Sequence, residues 1–233
     1  MIKTHFEFGD QARIEWIRQS LQKLPAGSRI LDAGAGQLRY KEFCSHLNYV
    51  SQDFSKYDGK GNGVGMQRGS WDTSAIDIVC DITSIPEKDS SFDAILCVAV
   101  IEHIPNPIAA LKEFSRLLKK GGILFITAPF ASTTHFAPYH FYSGFTRYFY
   151  ERHLLDNNFD ILTLEENGNL FDYMRSAINY VPLFANQYSN TELTNNERNT
   201  INDFSRLLSE LSKKNKGSQE LLNFGCQVTA VKL

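Results

Sequence analysis

The stretch Ile30–Tyr40, which reads I-L-D-A-G-A-G-Q-L-R-Y, constrains this chain more than any other. An apolar run, Ile30-Leu31, ends in Asp32, and Gly34 and Gly36 follow at alternate positions ahead of a segment, Leu38–Leu47, that reads as a helix. A buried strand entering a glycine turn before a helix brings backbone close to a nucleotide-like ligand, because glycine adopts angles that a side chain forbids. In an open α/β sheet such a ligand sits at the carboxyl ends of the strands. The dinucleotide fingerprint requires a third glycine three residues after the second. That position is Arg39 here, and Asp32 ahead of the first glycine is foreign to the fingerprint.

The rest of the chain alternates strand and helix around this turn. Ile14, Ile17, Leu21 and Leu24 give Asp10–Leu24 the buried stripe of an amphipathic helix, closed by Pro25-Ala26-Gly27. Arg29–Asp32 reads as the first strand and Tyr49–Phe54 as the second, ending in Asp53. That acid lies about twenty residues beyond the turn, where it can accept from the two hydroxyls of a ribose or serve as a turn or N-cap acid. A connection from Ser55 to Ala75 carries Gly59, Gly61, Gly63, Gly65 and Gly69, and either folds over a ligand or forms a surface loop. Ile76–Cys80 reads as a third strand, ending in Asp81-Ile82, and Ser91–Val98 as a fourth, apolar enough to be covered on both faces. Asn106-Pro107 starts a helix as N-cap and first residue, Gly121-Gly122 ends it, and Ile123–Thr127 is a fifth strand. Thr146–Asn157 reads as a helix, Phe159–Leu164 as a sixth strand, and Cys226–Lys232 as a last strand with one wet face.

Such alternation predicts an α/β fold with a mainly parallel sheet. Right-handed crossovers then place Asp32, Asp53, Asp81 and Cys97, each at or near a strand end, along one edge of that sheet. Composition narrows the class further. The chain has 233 residues, enough for one domain with an insertion, and its 42% hydrophobic content supports a sizeable core. A net charge of −2 gives no electrostatic reason to expect a nucleic acid or an anionic membrane as partner. No run approaches the roughly 20 apolar residues of a membrane span, and Met1–Asp10 lacks the apolar core of a signal peptide. Cys44, Cys80, Cys97 and Cys226 form no C-x-x-C pair and read as reduced thiols, so a soluble, cytoplasmic location is expected.

The series Leu31–Gly36, Asp53, Asp81, Ser91-Phe92-Asp93, Glu102-His103 and Leu117–Gly122 resembles the successive motifs of small-molecule class I methyltransferases that use S-adenosylmethionine. Ala137-Pro138-Tyr139-His140-Phe141-Tyr142 through Phe145-Thr146 is similar to a segment common in bacterial members. The resemblance covers about Ile30–Phe159. It implies a Rossmann-like, seven-stranded, mainly parallel sheet with a final antiparallel strand and helices on both faces. It also implies roles. Asp32, Gly34 and Gly36 would bind the cofactor, the two glycines lining its methionine and ribose; Asp53 would take the ribose hydroxyls with Phe54 beside the adenine. Asp81 would accept from the adenine amino group, the backbone of Ile82 would meet the ring, and Cys97 would offer its carbonyl to the methionine amino group. Leu38 departs from the pattern, since many relatives carry glycine there.

The segment 167–221 is too long for a hairpin. Ile201, Phe204, Leu208 and Leu211 mark a helix in it, and Tyr180–Tyr188 is apolar and aromatic, so it reads as an inserted helical cap or a dimerisation segment on a core of 1–166 and 222–233. Chemistry would need the acceptor aligned with the S–CH₃ bond, and a base for an oxygen acceptor. His103, His135 and His140 are the candidate bases, with His103 alternatively an organising residue and the aromatic surroundings of the other two alternatively plain packing. No i, i+4 histidine or C-x-x-C spacing points to a zinc site, so no metal is expected. The Asp/Asn-Pro-Pro-aromatic turn of exocyclic-amine methylation is replaced by Val98-Ala99-Val100-Ile101, and no Pro-Cys nucleophile stands there. The expected activity is methyl transfer to a small-molecule or glycan-like acceptor at oxygen, with a homodimer possible. The alternatives are a nicotinamide-dependent oxidoreductase and a non-catalytic cofactor-binding or interaction protein.

Overall fold

The computed structural model describes residues 7–233; the first part of the stretch read for a leader, Met1–Asp10, lies outside them. The helices and strands in chain order are α1 (Glu7–Gln22), β1 (Arg29–Ala33), β2 (Asn48–Asp53), β3 (Ile78–Val79), β4 (Phe92–Val98), α2 (Pro107–Leu117), β5 (Leu118–Pro129), α3 (Arg147–Asp156), β6 (Phe159–Asn167), α4 (Leu170–Asn179), α5 (Val181–Ser189), α6 (Asn195–Lys213) and β7 (Gly225–Lys232). The strands form one sheet in the order β3-β2-β1-β4-β5-β7-β6. β1 pairs parallel with β2 and β4, β2 with β3, and β4 with β5, whereas β7 runs antiparallel to β5 with Phe125 opposite Thr229. This is the Rossmann-like arrangement that the sequence predicts.

Alternation along the central strands assigns each face its cover. Ile95 and Cys97 of β4 and Leu124 and Ile126 of β5 join a fully buried cluster with Ala110, Leu111, Phe114 and Leu117 of α2 and Tyr150 and Leu154 of α3. Phe125 points to the other face, where the indole of Trp16 on α1 meets it edge-on at 6.3 Å. Ile17 and Leu21 of the same helix are fully buried, as their spacing predicts. Asn106 caps α2 by accepting from the Ala109 amide, with Pro107 at the first helical position.

Four local expectations are corrected. Leu38–Leu47 is not an α-helix: Leu38 sits in the left-handed region (φ 59°), which a helix cannot contain, and only a short 3₁₀ turn, Lys41–Cys44, fits before β2. The third strand is Ile78–Val79 rather than Ile76–Cys80. α2 ends at Leu117, and Leu118 already pairs with Phe92; a register shift between Phe92 and Ala94 then absorbs Lys119–Gly122 as a bulge, so Gly121-Gly122 lies within β5 and is no helix cap. β6 continues to Asn167, whose carbonyl accepts from the Phe224 amide at 2.8 Å.

The described residues divide into two compact units, Glu15–Glu165 with Gly225–Leu233, and residues 7–14 with Glu166–Phe224. In the smaller unit, Asn169 caps α4 through the amides of Phe171 and Asp172 and reaches Ser212 of α6 at 2.9 Å. Thr194 and Glu197 form a reciprocal capping box that starts α6. α4 went unforeseen. Among the described residues, the four cysteines are free thiols and no helix is long and apolar enough to cross a membrane.

Candidate functional site

The glycine turn is built from β1 and braced by β2. The amides of Gly34 and Ala35 both donate to the Gln52 carbonyl, at 2.8 and 2.9 Å. The Gly36 amide donates to Asp53 Oδ2 at 3.0 Å, and the other carboxylate oxygen accepts from the Ser55 amide at 2.7 Å. Both glycines have positive φ, 79° and 52°. A Cβ on Gly34 would lie 2.5 Å from both γ-methyls of Val100, and one on Gly36 would lie 2.6 Å from the indole of Trp71. In these surroundings, and at these angles, the turn accepts only glycine at both positions. Leu38 holds a left-handed conformation with its amide on the Ala35 carbonyl, so this backbone keeps the glycine-like shape at a conformational cost.

Parallel pairing brings the predicted acids to one edge. Asp32 is buried, accepts from the Tyr49 hydroxyl at 2.7 Å, and is turned into the sheet. Burial pushes its carboxyl up to about 7, against the Tyr49 hydrogen bond and with the neighbouring Asp53 charge. Asp81 is exposed and accepts from the Thr83 amide and hydroxyl, which hold its carboxyl below the usual range. Ile82 is buried beside it, and Phe54 meets the Tyr139 ring edge-on at 4.9 Å. Cys97 is fully buried, and that burial raises its thiol well above the ordinary range, so its side chain belongs to the core.

Sequence reasoning missed Gln52. Its carbonyl anchors the turn, its side-chain oxygen lies 3.3 Å from the Gly34 amide, and its side-chain amide donates to the Cys80 carbonyl at 2.8 Å, tying β1 to the end of β3. Nothing in a lone glutamine marks it; only its place next to the strand-end acid does. Trp71 was missed too. The glycine-rich connection is ordered against the segment after β5: Met66 and His135 bridge, with the Met66 amide on the Thr134 carbonyl and the Phe136 amide on the Met66 carbonyl, both at 3.0 Å. Phe136 stacks on Tyr57 at 4.6 Å and packs against Trp71 at 5.4 Å. The many glycines allow this close backbone approach; a Cβ on Gly61 would fall 2.0 Å from the Ala137 carbonyl oxygen.

The three candidate histidines come together. The ring of His103 stacks on Phe136 at 5.2 Å and lies 4.7 Å from His135 and 5.9 Å from His140, and the last two are 4.6 Å apart. His103 Nδ1 is 2.5 Å from the Tyr139 carbonyl, and His135 Nδ1 is 2.9 Å from the Thr133 carbonyl. A carbonyl only accepts, so both Nδ1 atoms carry the proton and both Nε2 atoms hold a lone pair. His140 Nε2 pairs with the Ser132 hydroxyl at 3.1 Å. Burial lowers the pKa of all three, that of His103 to about 3 with His135 adding to the effect. At neutral pH the cluster is uncharged. Glu102, fully buried, presents Oε1 3.8 Å from His103 Nε2, and its backbone carbonyl accepts from the Phe141 and Tyr142 amides, which ties the segment after β5 to the end of β4.

Residues 6–177 match the family model described as a methyltransferase domain. Among curated proteins, the chain is 35% identical over 124 residues to the human probable tRNA methyltransferase 9B, covering 51% of this chain and 26% of that one. It is 30% identical over 119 residues to the ubiquinone biosynthesis O-methyltransferase of Xanthomonas axonopodis pv. citri, covering 49% of this chain and 48% of that one. The chain thus spans between a quarter and a half of the length of these two relatives. Among solved structures, the phosphoethanolamine N-methyltransferase 2 of Haemonchus contortus in complex with S-adenosyl-L-methionine superimposes with a TM-score of 0.53 at 18% identity, covering 95% of this chain and 52% of that one. With the family model spanning most of the sheet and its glycine turn, the chain belongs to the class I S-adenosylmethionine-dependent methyltransferases.

Proposed function

We propose that this chain moves the methyl group of S-adenosylmethionine to an oxygen of a small-molecule or glycan-like acceptor. The observation that carries this reading is the pairing, within one unit, of a glycine cradle braced by Asp53 with a histidine and aromatic cluster that follows β4 and β5. The turn fits the cofactor: its glycine backbone and the Asp53 carboxylate lie at the ends of parallel strands, where an α/β sheet takes its ligand.

When bound, S-adenosylmethionine supplies a sulfonium-activated methyl group that needs no further activation. In this reading Gly34 and Gly36 lie along the methionine and ribose, Asp53 accepts from the ribose hydroxyls, and Phe54 flanks the adenine. Asp81 accepts from the adenine amino group beside the backbone of Ile82, and the Cys97 carbonyl accepts from the methionine amino group. Tyr57, Trp71, Phe136 and Tyr139 supply an apolar wall that positions a flat acceptor and excludes water. These residues would hold the acceptor with its oxygen toward the methyl group, and a base of this chain would take the hydroxyl proton. His140, the least buried of the three histidines and hydrogen-bonded to Ser132, is the residue we assign as proton acceptor. The net charge of −2 and the absence of a basic stripe in the sequence favour a small acceptor over tRNA. The segment 167–221 we assign to dimerisation, supported by the exposed apolar side chains of Val181, Leu183, Tyr188, Phe204 and Leu207.

The test is transfer of radiolabelled methyl from S-adenosylmethionine to a panel of phenols, catechols, sugars and bulk tRNA. Label in a small hydroxyl compound, lost in Asp53→Ala, is the expected result. Label in tRNA alone, or none in any acceptor by protein that binds S-adenosylhomocysteine, would overturn it.

A further inference from the structure

We infer that Glu102, His103 and His135 form a binding site for a divalent transition-metal ion of the zinc class. One ligand atom from each lies within 4.8 Å of the others. Ligand atoms around a tetrahedral zinc stand about 3.3 Å apart, so closing on the ion asks only for modest side-chain rotation. The tautomers are already set. His103 and His135 each spend the Nδ1 proton on a backbone carbonyl, of Tyr139 and Thr133 respectively, which leaves both Nε2 lone pairs for an ion. A metal-bound histidine is held in this way, with its second nitrogen donating to an outer acceptor that fixes the ring and raises its basicity. His103 Nε2 is buried and makes no hydrogen bond among the described residues. Glu102 brings a fully buried carboxylate from the adjacent position, anchored through its own carbonyl by the Phe141 and Tyr142 amides. Two imidazoles and one carboxylate are the donor set of a zinc site that leaves a position open.

Sequence spacing hides the set. Glu102 and His103 follow β4, while His135 comes from the segment after β5 and is registered by its bridge to Met66. The open position gives the site a use that rests on the methyltransferase reading: an acceptor hydroxyl bound to the ion loses its proton more readily, so the oxygen attacks as an alkoxide or phenolate.

The test starts from full-length protein stripped with a chelator and dialysed against Zn²⁺ or Co²⁺. The expected result is one-to-one, saturable binding and, with Co²⁺, the intense visible d–d bands of a low-coordinate site. Affinity should fall at least about tenfold in His135→Asn and in Glu102→Gln and stay unchanged in His153→Asn, a half-buried histidine of α3 outside the cluster. No saturable binding, or binding of equal affinity in both ligand variants, would overturn the inference. Should Glu102→Gln fail to fold, His135→Asn alone decides, because its ring is only partly buried. S-adenosylhomocysteine titrated into the same samples keeps the two readings apart: loss there, with metal binding intact, would overturn the cofactor reading and leave the metal site standing.

Discussion

Replacing Gly34 by alanine adds one carbon 2.5 Å from both γ-methyls of Val100, at a residue whose φ is 79°. Two separable costs follow. Holding an L-residue in the left-handed region costs roughly 1 kcal/mol, and forcing a methyl into a filled space costs about 1–3 kcal/mol more. Gly34→Ala should therefore lose about 2–4 kcal/mol in urea denaturation at unchanged m value. Removing the obstacle separates the terms: in Gly34→Ala with Val100→Ala the steric part should be recovered, giving a coupling of about 1–3 kcal/mol in the double-mutant cycle, while the φ cost stays. Calorimetric titration with S-adenosylhomocysteine on the same proteins should show weaker binding in the single variant, because the turn shifts to make room. A Gly34→Ala protein within about 0.5 kcal/mol of wild type, or strict additivity in the cycle, would refute the reasoning.

Other perturbations test other parts. Trp71 lies against Gly36, so S-adenosylhomocysteine should change the intrinsic fluorescence, and Trp71→Phe, which leaves Trp16 as the other indole, should abolish the change. Because burial raises the Asp32 carboxyl to about 7, the folded chain keeps a proton that the unfolded chain has released at lower pH. Stability should fall as pH rises from about 4 to 7, by up to roughly 4 kcal/mol, and thermal melts of Asp32→Asn should flatten that fall. His103 behaves oppositely: with its pKa lowered to about 3, the unfolded chain takes a proton first, so stability should fall as pH drops below about 6.5, less steeply in His103→Gln. Phe136→Ala removes the ring shared by Tyr57, Trp71 and His103 and should cost about 2–3 kcal/mol while raising the KM for the acceptor more than that for S-adenosylmethionine.

The succession of strands and helices and the glycine turn were legible because each rests on local pattern: apolar runs, an acid at the strand end, and a Pro-started helix. The misreadings share one physical origin. Leu38 takes a conformation that leucine propensity argues against, because the turn needs it, and this removes the helix expected after it. Gly121-Gly122 looks like a helix end, yet pairing of Leu118 with Phe92 overrides it. The acidic rim emerged from the sequence because parallel strands align their ends. Gln52, Trp71 and the approach of Glu102, His103 and His135 did not, because they depend on contacts between segments far apart in the chain, which no spacing encodes. Asp32 shows the converse: its position is that of a cofactor acid, but its side chain bonds to Tyr49 inside the sheet.

The central claim, that this turn holds S-adenosylmethionine with Asp53 on its ribose, is tested most directly by calorimetric titration of wild-type and Asp53→Ala protein with S-adenosylhomocysteine, alongside NAD⁺ and NADP⁺. The account predicts micromolar S-adenosylhomocysteine binding to wild type, lost in Asp53→Ala, and none of either dinucleotide. Dinucleotide binding, or S-adenosylhomocysteine binding that survives in Asp53→Ala, would contradict it.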